Sequence, residues 1–313
     1  MHQMKRYLPL VACAALCAPL PLLAQDTKTH PAPSEIVAAA KAGEWVAIAP
    51  SDLLVMDLAP DSKGKARRVV IQLMPKPFSQ GWVGNIRKLA AARWWDGTSI
   101  NRVQDNYVVQ WGDATEKKAL PKGLAVVSEE DYVFPEALTR PHSLDPIFVP
   151  PNNIIRWTSF HQGFPVAGVA TPDTAGNWPI HCYGMVGVGR NLAPDTGTGA
   201  ELYAVIGHAP RHLDRNIALV GRVIEGIEHL SSLPRGTGAL GFYEKEEERV
   251  PILSVRLGND VKDAPAFEYL DTESASFAAY ADARANRRDP FFNIPAGGAD
   301  ICNIPVPIRR KAK

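Results

Sequence analysis

The stretch Trp94–Asp113, WWDGTSINRVQDNYVVQWGD, constrains the fold of this chain more than any other. An Asp96-Gly97 turn precedes a segment holding a single arginine, Arg102. The β-prone run Tyr107–Trp111 then closes on Gly112-Asp113. Turn chemistry followed by alternating β-formers reads as strand, turn, strand. On the second strand the period of two puts Val108 and Gln110 on one face, one polar group among apolar neighbours. Such a face suits a peptide groove.

The chain begins with Lys5 and Arg6 ahead of the apolar run Tyr7–Leu23, and Ala24 stands before polar Gln25-Asp26-Thr27. A charged start, an apolar middle and a small residue at the break are the marks of a secretory signal, with cleavage expected after Ala24. Pro9, Pro19 and Pro21 argue against a membrane span, so no stable membrane insertion is expected once the signal is removed. A lipoprotein signal at Leu10-Val11-Ala12-Cys13 is the rival, but it would leave a very short apolar stretch. The location read from this is export, to the periplasm.

Removing Lys5 and Arg6, which no acidic residue in 1–24 balances, takes the formal charge from +1 to −1. A near-neutral chain has no electrostatic case for nucleic acid or anionic membrane as its main partner. Cys13 and Cys17 leave with the signal, so Cys182 and Cys302 remain, either as one disulfide or as two separately buried thiols.

Gln25–Pro33 reads as a polar linker and Ser34–Ala42 as a short helix capped by Ser34. Trp45–Ile48, Leu53–Leu58 and Arg67–Leu73 are short β-rich runs, the last two separated by a Pro60–Gly64 turn. The barrel described below is expected to begin near Trp45. After Pro75 and Pro77, Val83, Ile86, Leu89 and Ala90 recur at helical spacing.

The opening stretch resembles the cyclophilin signature, in which a YDGT-like turn precedes an F-H-R-V segment and a strand ending Q-G-G-D. Here Trp95-Asp96-Gly97-Thr98, Ile100-Asn101-Arg102-Val103 and Gln110-Trp111-Gly112-Asp113 match it in order. A second match starts at Cys182-Tyr183-Gly184-Met185 and runs through Gly187, Gly199 and the strand Glu201–Ile206 to Leu213-Asp214. It ends in Ala218–Gly226, similar to the family's F-G-x-V-x-x-G strand and turn, with Ile227 and Leu230 inward on the helix that follows. Two matches in the same order far apart in the chain make coincidence a poor explanation.

The resemblance implies a mainly β fold, a closed eight-stranded cyclophilin-like barrel capped by helices, over residues 45–262. A long loop insertion falls at about 114–180, within which 148–163 and the acidic Glu129–Tyr132 stand out, and a C-terminal helical extension follows over 263–313. Trp157, Phe160 and His161 in the insertion are read as loop packing rather than substrate contacts. The implied activity is cis/trans isomerisation of X-Pro bonds, assisting the folding of exported proteins. The implied partners are proline-containing polypeptides, met by a monomer. The alternative is a catalytically weak cyclophilin-like module that grips proline segments as a chaperone.

Arg102 matches the family's catalytic arginine. The implied groove residues are Tyr107, Val108 and Gln110 on the first strand pair, Gly187, Glu201 and Tyr203 on the second, and His212 and Leu213 after it. Tyr203 takes the position of the phenylalanine at the pocket floor. By the family pattern Gly187 stands for an asparagine, Glu201 for a glutamine, His212 for an aromatic and Ile217 for a histidine. Glu201 thereby brings a carboxylate that could pair with Arg102.

Other chemistries find little support. The eight histidines show no convincing ligand spacing, and Pro210 interrupts His208–His212, so neither a metal nor a cofactor is expected. No G-x-S-x-G elbow and no phosphate loop occur. Glu244–Arg249 reads as a solvated loop. In the extension, Asp271 is expected to cap a helix whose Phe277, Tyr280 and Arg284 lie on one side and dock on the domain. The basic end Arg309–Lys313 is expected to be solvated.

Overall fold

The computed structural model describes residues 30–135, 157–170 and 175–311. The expected signal, residues 148–156 of the expected insertion and most of the Gln25–Pro33 linker lie outside them.

Eight strands close a barrel in the order β10-β5-β4-β12-β2-β3-β11-β9. They are β2 (Leu53–Leu58), β3 (Arg67–Leu73), β4 (Ser99–Val103), β5 (Val108–Gly112), β9 (Met185–Val188), β10 (Leu202–Val205), β11 (Leu219–Glu225) and β12 (Val250–Leu257). β2 and β3 form a hairpin because Asp61 accepts backbone hydrogen bonds from Lys63 and Lys65 while Gly64 takes a positive φ of 77°. The inward faces, with Leu54, Met56, Val69 and Ile71, make the main core. One end is closed by α2 (Gln80–Ala91), which buries Trp82, Val83, Ile86, Leu89 and Ala90 as the helical spacing predicts.

The barrel does not begin near Trp45. β1 (Trp45–Ala47) instead pairs with β13 (Phe267–Leu270), which pairs with β14 (Ile308–Arg310). This small sheet covers the barrel's outer face, where Leu53, Val55 and Val70 meet Ile48, Phe267 and Tyr269. The continuous apolar run Leu53–Met56 now has its reason, since a strand buried on both faces loses its alternation. The basic tail is exposed over Arg309–Lys311 as expected, and its two arginines are nonetheless paired. Arg309 pairs with Glu268 at 2.6 Å and lies 3.7 Å from the centre of the Trp45 ring, and Arg310 pairs with Glu225 at 2.6 Å.

The segment read as a loop insertion contains a three-stranded sheet of β6 (Trp157–His161), β7 (Phe164–Ala170) and β8 (Ala175–Pro179). Phe160 meets Phe277 of α4 (Ala275–Ala285) edge to face at 5.1 Å, so packing is indeed the role of that residue. His161 reaches the Lys76 carbonyl at 3.1 Å. Arg222 of β11 fastens the sheet to the barrel, donating to the Gly163 carbonyl at 2.6 Å and to Gln72 at 2.8 and 3.0 Å. Burial pulls this arginine down to about 9.

The helix α1 (Pro33–Ala39) starts one residue earlier and ends three residues earlier than expected, with Pro33 in its first turn and Ala32 rather than Ser34 as cap. α4 is capped by Ser274, whose hydroxyl accepts from the Phe277 N–H at 3.1 Å, rather than by Asp271. Phe277 and Tyr280 are buried, and Arg284 donates to the Asn303 carbonyl at 2.7 and 3.0 Å. α3 (Glu228–Ser231) buries Leu230. Cys182 and Cys302 are bonded, S–S 2.04 Å, tying the extension to the segment just before β9.

Candidate active site

The groove is built on the outer face of β4, β5, β10 and β9. A register shift between Ile100 and Arg102 lets Arg102 stand opposite Gln110, and such a bulge re-aims a side chain. Asn106 turns the hairpin in the left-handed region at φ 50° and accepts the His208 N–H at 2.8 Å. Period two then aligns Val108 and Gln110 with Val205 and Tyr203 across the β5–β10 pair.

Arg102 is half-buried, and each of its three guanidinium nitrogens donates one hydrogen bond. Its Nε donates to the Leu240 carbonyl at 2.8 Å, Nη1 to Gln110 Oε1 at 3.1 Å, and Nη2 to Gln104 Oε1. The guanidinium carbon lies 5.8 Å from the Tyr107 ring centre and 5.3 Å from that of Phe242. Burial pulls its pKa below the ordinary arginine value, partly offset by Tyr107.

Beside it Val108, Tyr203 and Val205 form a small apolar cluster apart from the barrel core, flanked by Tyr107, Leu213 and Ile217. Exposed His212 stacks on Tyr107 at 6.2 Å and 11°. Gly187 lies under Tyr203, and a Cβ there would come within 2.3 Å of the tyrosine Cζ and Oη. Tyr203 does not end in the apolar cluster. Its hydroxyl is 2.8 Å from His181 Nε2, and His181 Nδ1 is 2.8 Å from Asp214 Oδ1.

Glu201 does not pair with Arg102. Its Oε1 accepts the Asp113 N–H at 2.7 Å, and the side chain reaches that group by lying over Gly112, where a Cβ would meet Oε1 at 1.9 Å. Burial pushes the carboxyl up to about 7, against hydrogen bonds from Asp113, Gln110 and Asn101 that favour the ionised form. Glu201, Arg102, Gln110, Asn101 and Phe242 line a cavity of about 590 Å³ that adjoins the apolar cluster.

Arg102, Gln110 and Glu201 therefore line one cavity, while Val108 and Tyr203, flanked by Tyr107 and Leu213 and lying over Gly187, form a neighbouring apolar cluster with His212 stacked at its edge on Tyr107. Sequence reasoning missed Gln104, although it lies two residues from Arg102 and so on the same strand face. It also missed Leu240 and Phe242, which arrive from a loop after α3 and carry no local signal. Among the described residues no group of three or more His, Cys, Asp or Glu side chains is placed to hold a metal ion.

The family described as cyclophilin type peptidyl-prolyl cis-trans isomerase/CLD matches residues 61–257. The chain belongs to this family. Its members are isomerases of X-Pro bonds, and the closed eight-stranded barrel with its helices is the cyclophilin fold. The chain is similar to the crystal structure of the cyclophilin AquaCyp293 from Hirschia baltica, with 22% identity, a TM-score of 0.64, and 85% of this chain and 93% of that one covered. A cyclophilin type isomerase from Cryptosporidium parvum, solved in the presence of the dipeptide Ala-Pro, is 12% identical with a TM-score of 0.37, covering 65% of this chain and 98% of that one. No curated protein matches the chain.

Proposed function

We propose that this cyclophilin isomerises X-Pro bonds of exported polypeptides, with Arg102 as the catalytic group. The barrier of roughly 18–20 kcal/mol reflects partial double-bond character in the amide C–N bond. As that bond twists, lone-pair density returns to the prolyl nitrogen, and a guanidinium aimed there binds the twisted state better than either planar isomer. No nucleophile and no cofactor are needed.

The observation that carries the reading is the pairing of this guanidinium with an apolar seat. Gln110 and Gln104 orient two of its nitrogens without neutralising it, and the apolar cluster of Tyr203 and Val108 flanked by Leu213 is the seat assigned to the proline ring. Tyr107, Gln110, Gly187 and His212 complete the peptide groove, and the protein acts as a monomer. Export rests on the signal-like residues 1–24, and location in the periplasm on the same segment. A protease-coupled proline-peptide assay on the mature protein tests the activity: catalysed exchange supports it, and a rate equal to the uncatalysed one refutes it.

A second reading has its own observation. Arg102 already donates from Nε, Nη1 and Nη2 to protein acceptors, which suits a binding module that grips proline segments with little turnover. Arg102 substitution separates the two readings, as developed in the Discussion.

A further inference from the structure

Beneath the groove lies a buried polar chain that the proposed chemistry does not use. Tyr203 is 4% exposed, His181 0% and Asp214 6%. Asp214 Oδ1 receives both the His181 backbone N–H at 3.0 Å and the imidazole Nδ1 at 2.8 Å, and Oδ2 receives Arg211 Nε at 2.6 Å. An ionised carboxylate only accepts, so the network assigns the proton to Nδ1 and leaves Nε2 to accept the Tyr203 hydroxyl. Burial raises the phenol well above its ordinary pKa, which keeps the donor protonated. The imidazole and phenol rings lie nearly parallel, 12° apart.

We infer that His181, held by Asp214, is a positioning residue for the isomerase groove, fixing the Tyr203 ring as the floor against which the substrate's proline is seated. The inference rests on the groove being the peptide site. Of the other residues in that cluster Val108, Val205, Leu213 and Ile217 are apolar, and Tyr107, which alone carries a polar group, stacks on His212. Without an acceptor at position 181 the hydroxyl would be buried unsatisfied, and the ring would have to swing toward the groove mouth to recover a partner. Gly187 belongs to the same device, because any side chain there would occupy the path of the ring to His181.

His181→Phe isolates this link. Asp214 keeps the backbone N–H of residue 181 and Arg211, so the group left without its partner is the Tyr203 hydroxyl. Tyr203→Phe in the same chain removes that hydroxyl, and replacing both partners of a buried hydrogen bond by apolar groups can be nearly neutral. The floor touches both isomers and the twisted state alike, so its displacement should raise KM and leave kcat in place.

The test measures affinity for a proline peptide by calorimetry and exchange by NMR, in wild type, His181→Phe, Tyr203→Phe and the double variant. His181→Phe should weaken binding by about tenfold or more with kcat nearly unchanged, and the double variant should return to within about threefold of Tyr203→Phe. A double variant as weak as His181→Phe, or a His181→Phe that binds like wild type, would overturn the inference. The imidazole nitrogen spectrum supplies a readout if His181→Phe does not fold. Tyr203→Phe should shift the Nε2 resonance and leave Nδ1 bonded to Asp214, and an unmoved Nε2 resonance would count against the tether. If the wild type binds peptide without exchange while the affinity pattern holds, the isomerase reading fails and the tether stands.

Discussion

Replacing Glu201 by glutamine should stabilise the protein at alkaline pH and leave it unchanged in acid. The carboxyl is raised from 4.5 to about 7 in the folded protein, chiefly by burial. A group whose folded pKa lies above its unfolded one binds its proton more tightly in the folded state. Its stabilising contribution is present below the unfolded value and is lost as pH rises through the folded one. At 1.36 kcal/mol per unit, the shift corresponds to about 3 kcal/mol of stability missing above pH 7, an upper bound because the side chain is not fully buried.

Glutamine at 201 keeps an oxygen for the Asp113 N–H. Urea unfolding of both proteins at several pH values, disulfide intact, measures the difference, and all other titrating groups cancel in it. The gain from Glu201→Gln should be near zero at pH 4 and reach about 2–3 kcal/mol at pH 8. A difference that does not change between those pH values would refute the assignment of a strained carboxyl beside the groove.

Phe277→Ala removes the ring that joins α4 to the insertion sheet at Phe160 and should cost about 3–5 kcal/mol, read as a fall in the urea midpoint at constant slope. Cys302→Ser opens a covalent loop spanning 120 residues and should cost up to about 5 kcal/mol in the same assay, whereas an unchanged midpoint would mean that the bond constrains nothing in the unfolded chain. Expression with its natural N-terminus should yield, by mass spectrometry, a mature chain starting near Gln25, and an uncleaved cytoplasmic chain would contradict the export reading.

The strand pair that carries Arg102 and Gln110 was legible because its signal is local. Turn residues and a period of two place Arg102, Val108 and Gln110 without knowledge of anything else in the chain. The covering sheet was less so. Leu53-Leu54-Val55-Met56 breaks alternation and thereby announces burial on both faces, yet nothing in it names β1 and β13 as the cover, which come from opposite ends of the chain. The same limit hid Leu240 and Phe242, brought to Arg102 over 138 and 140 residues by the path of one loop. His181 looked like any core histidine. Only the three-dimensional meeting of Asp214 on one nitrogen and Tyr203 on the other gives it a place in the groove. Glu201 was expected to seek the nearest cation, but glycine at 112 opens a path to a backbone N–H instead.

The central claim is that Arg102 acts on the twisting bond, whereas Tyr203 seats the ring. Exchange by NMR and affinity by calorimetry, on one proline peptide with wild type, Arg102→Ala and Tyr203→Ala, test it most directly. Arg102→Ala should lower kcat/KM at least tenfold, about 1.4 kcal/mol or more, with ground-state affinity nearly unchanged, while Tyr203→Ala should lower affinity and kcat/KM together with kcat nearly unchanged. A wild type without exchange, and an Arg102→Ala that binds as weakly as Tyr203→Ala, would contradict it and leave the groove a binding site.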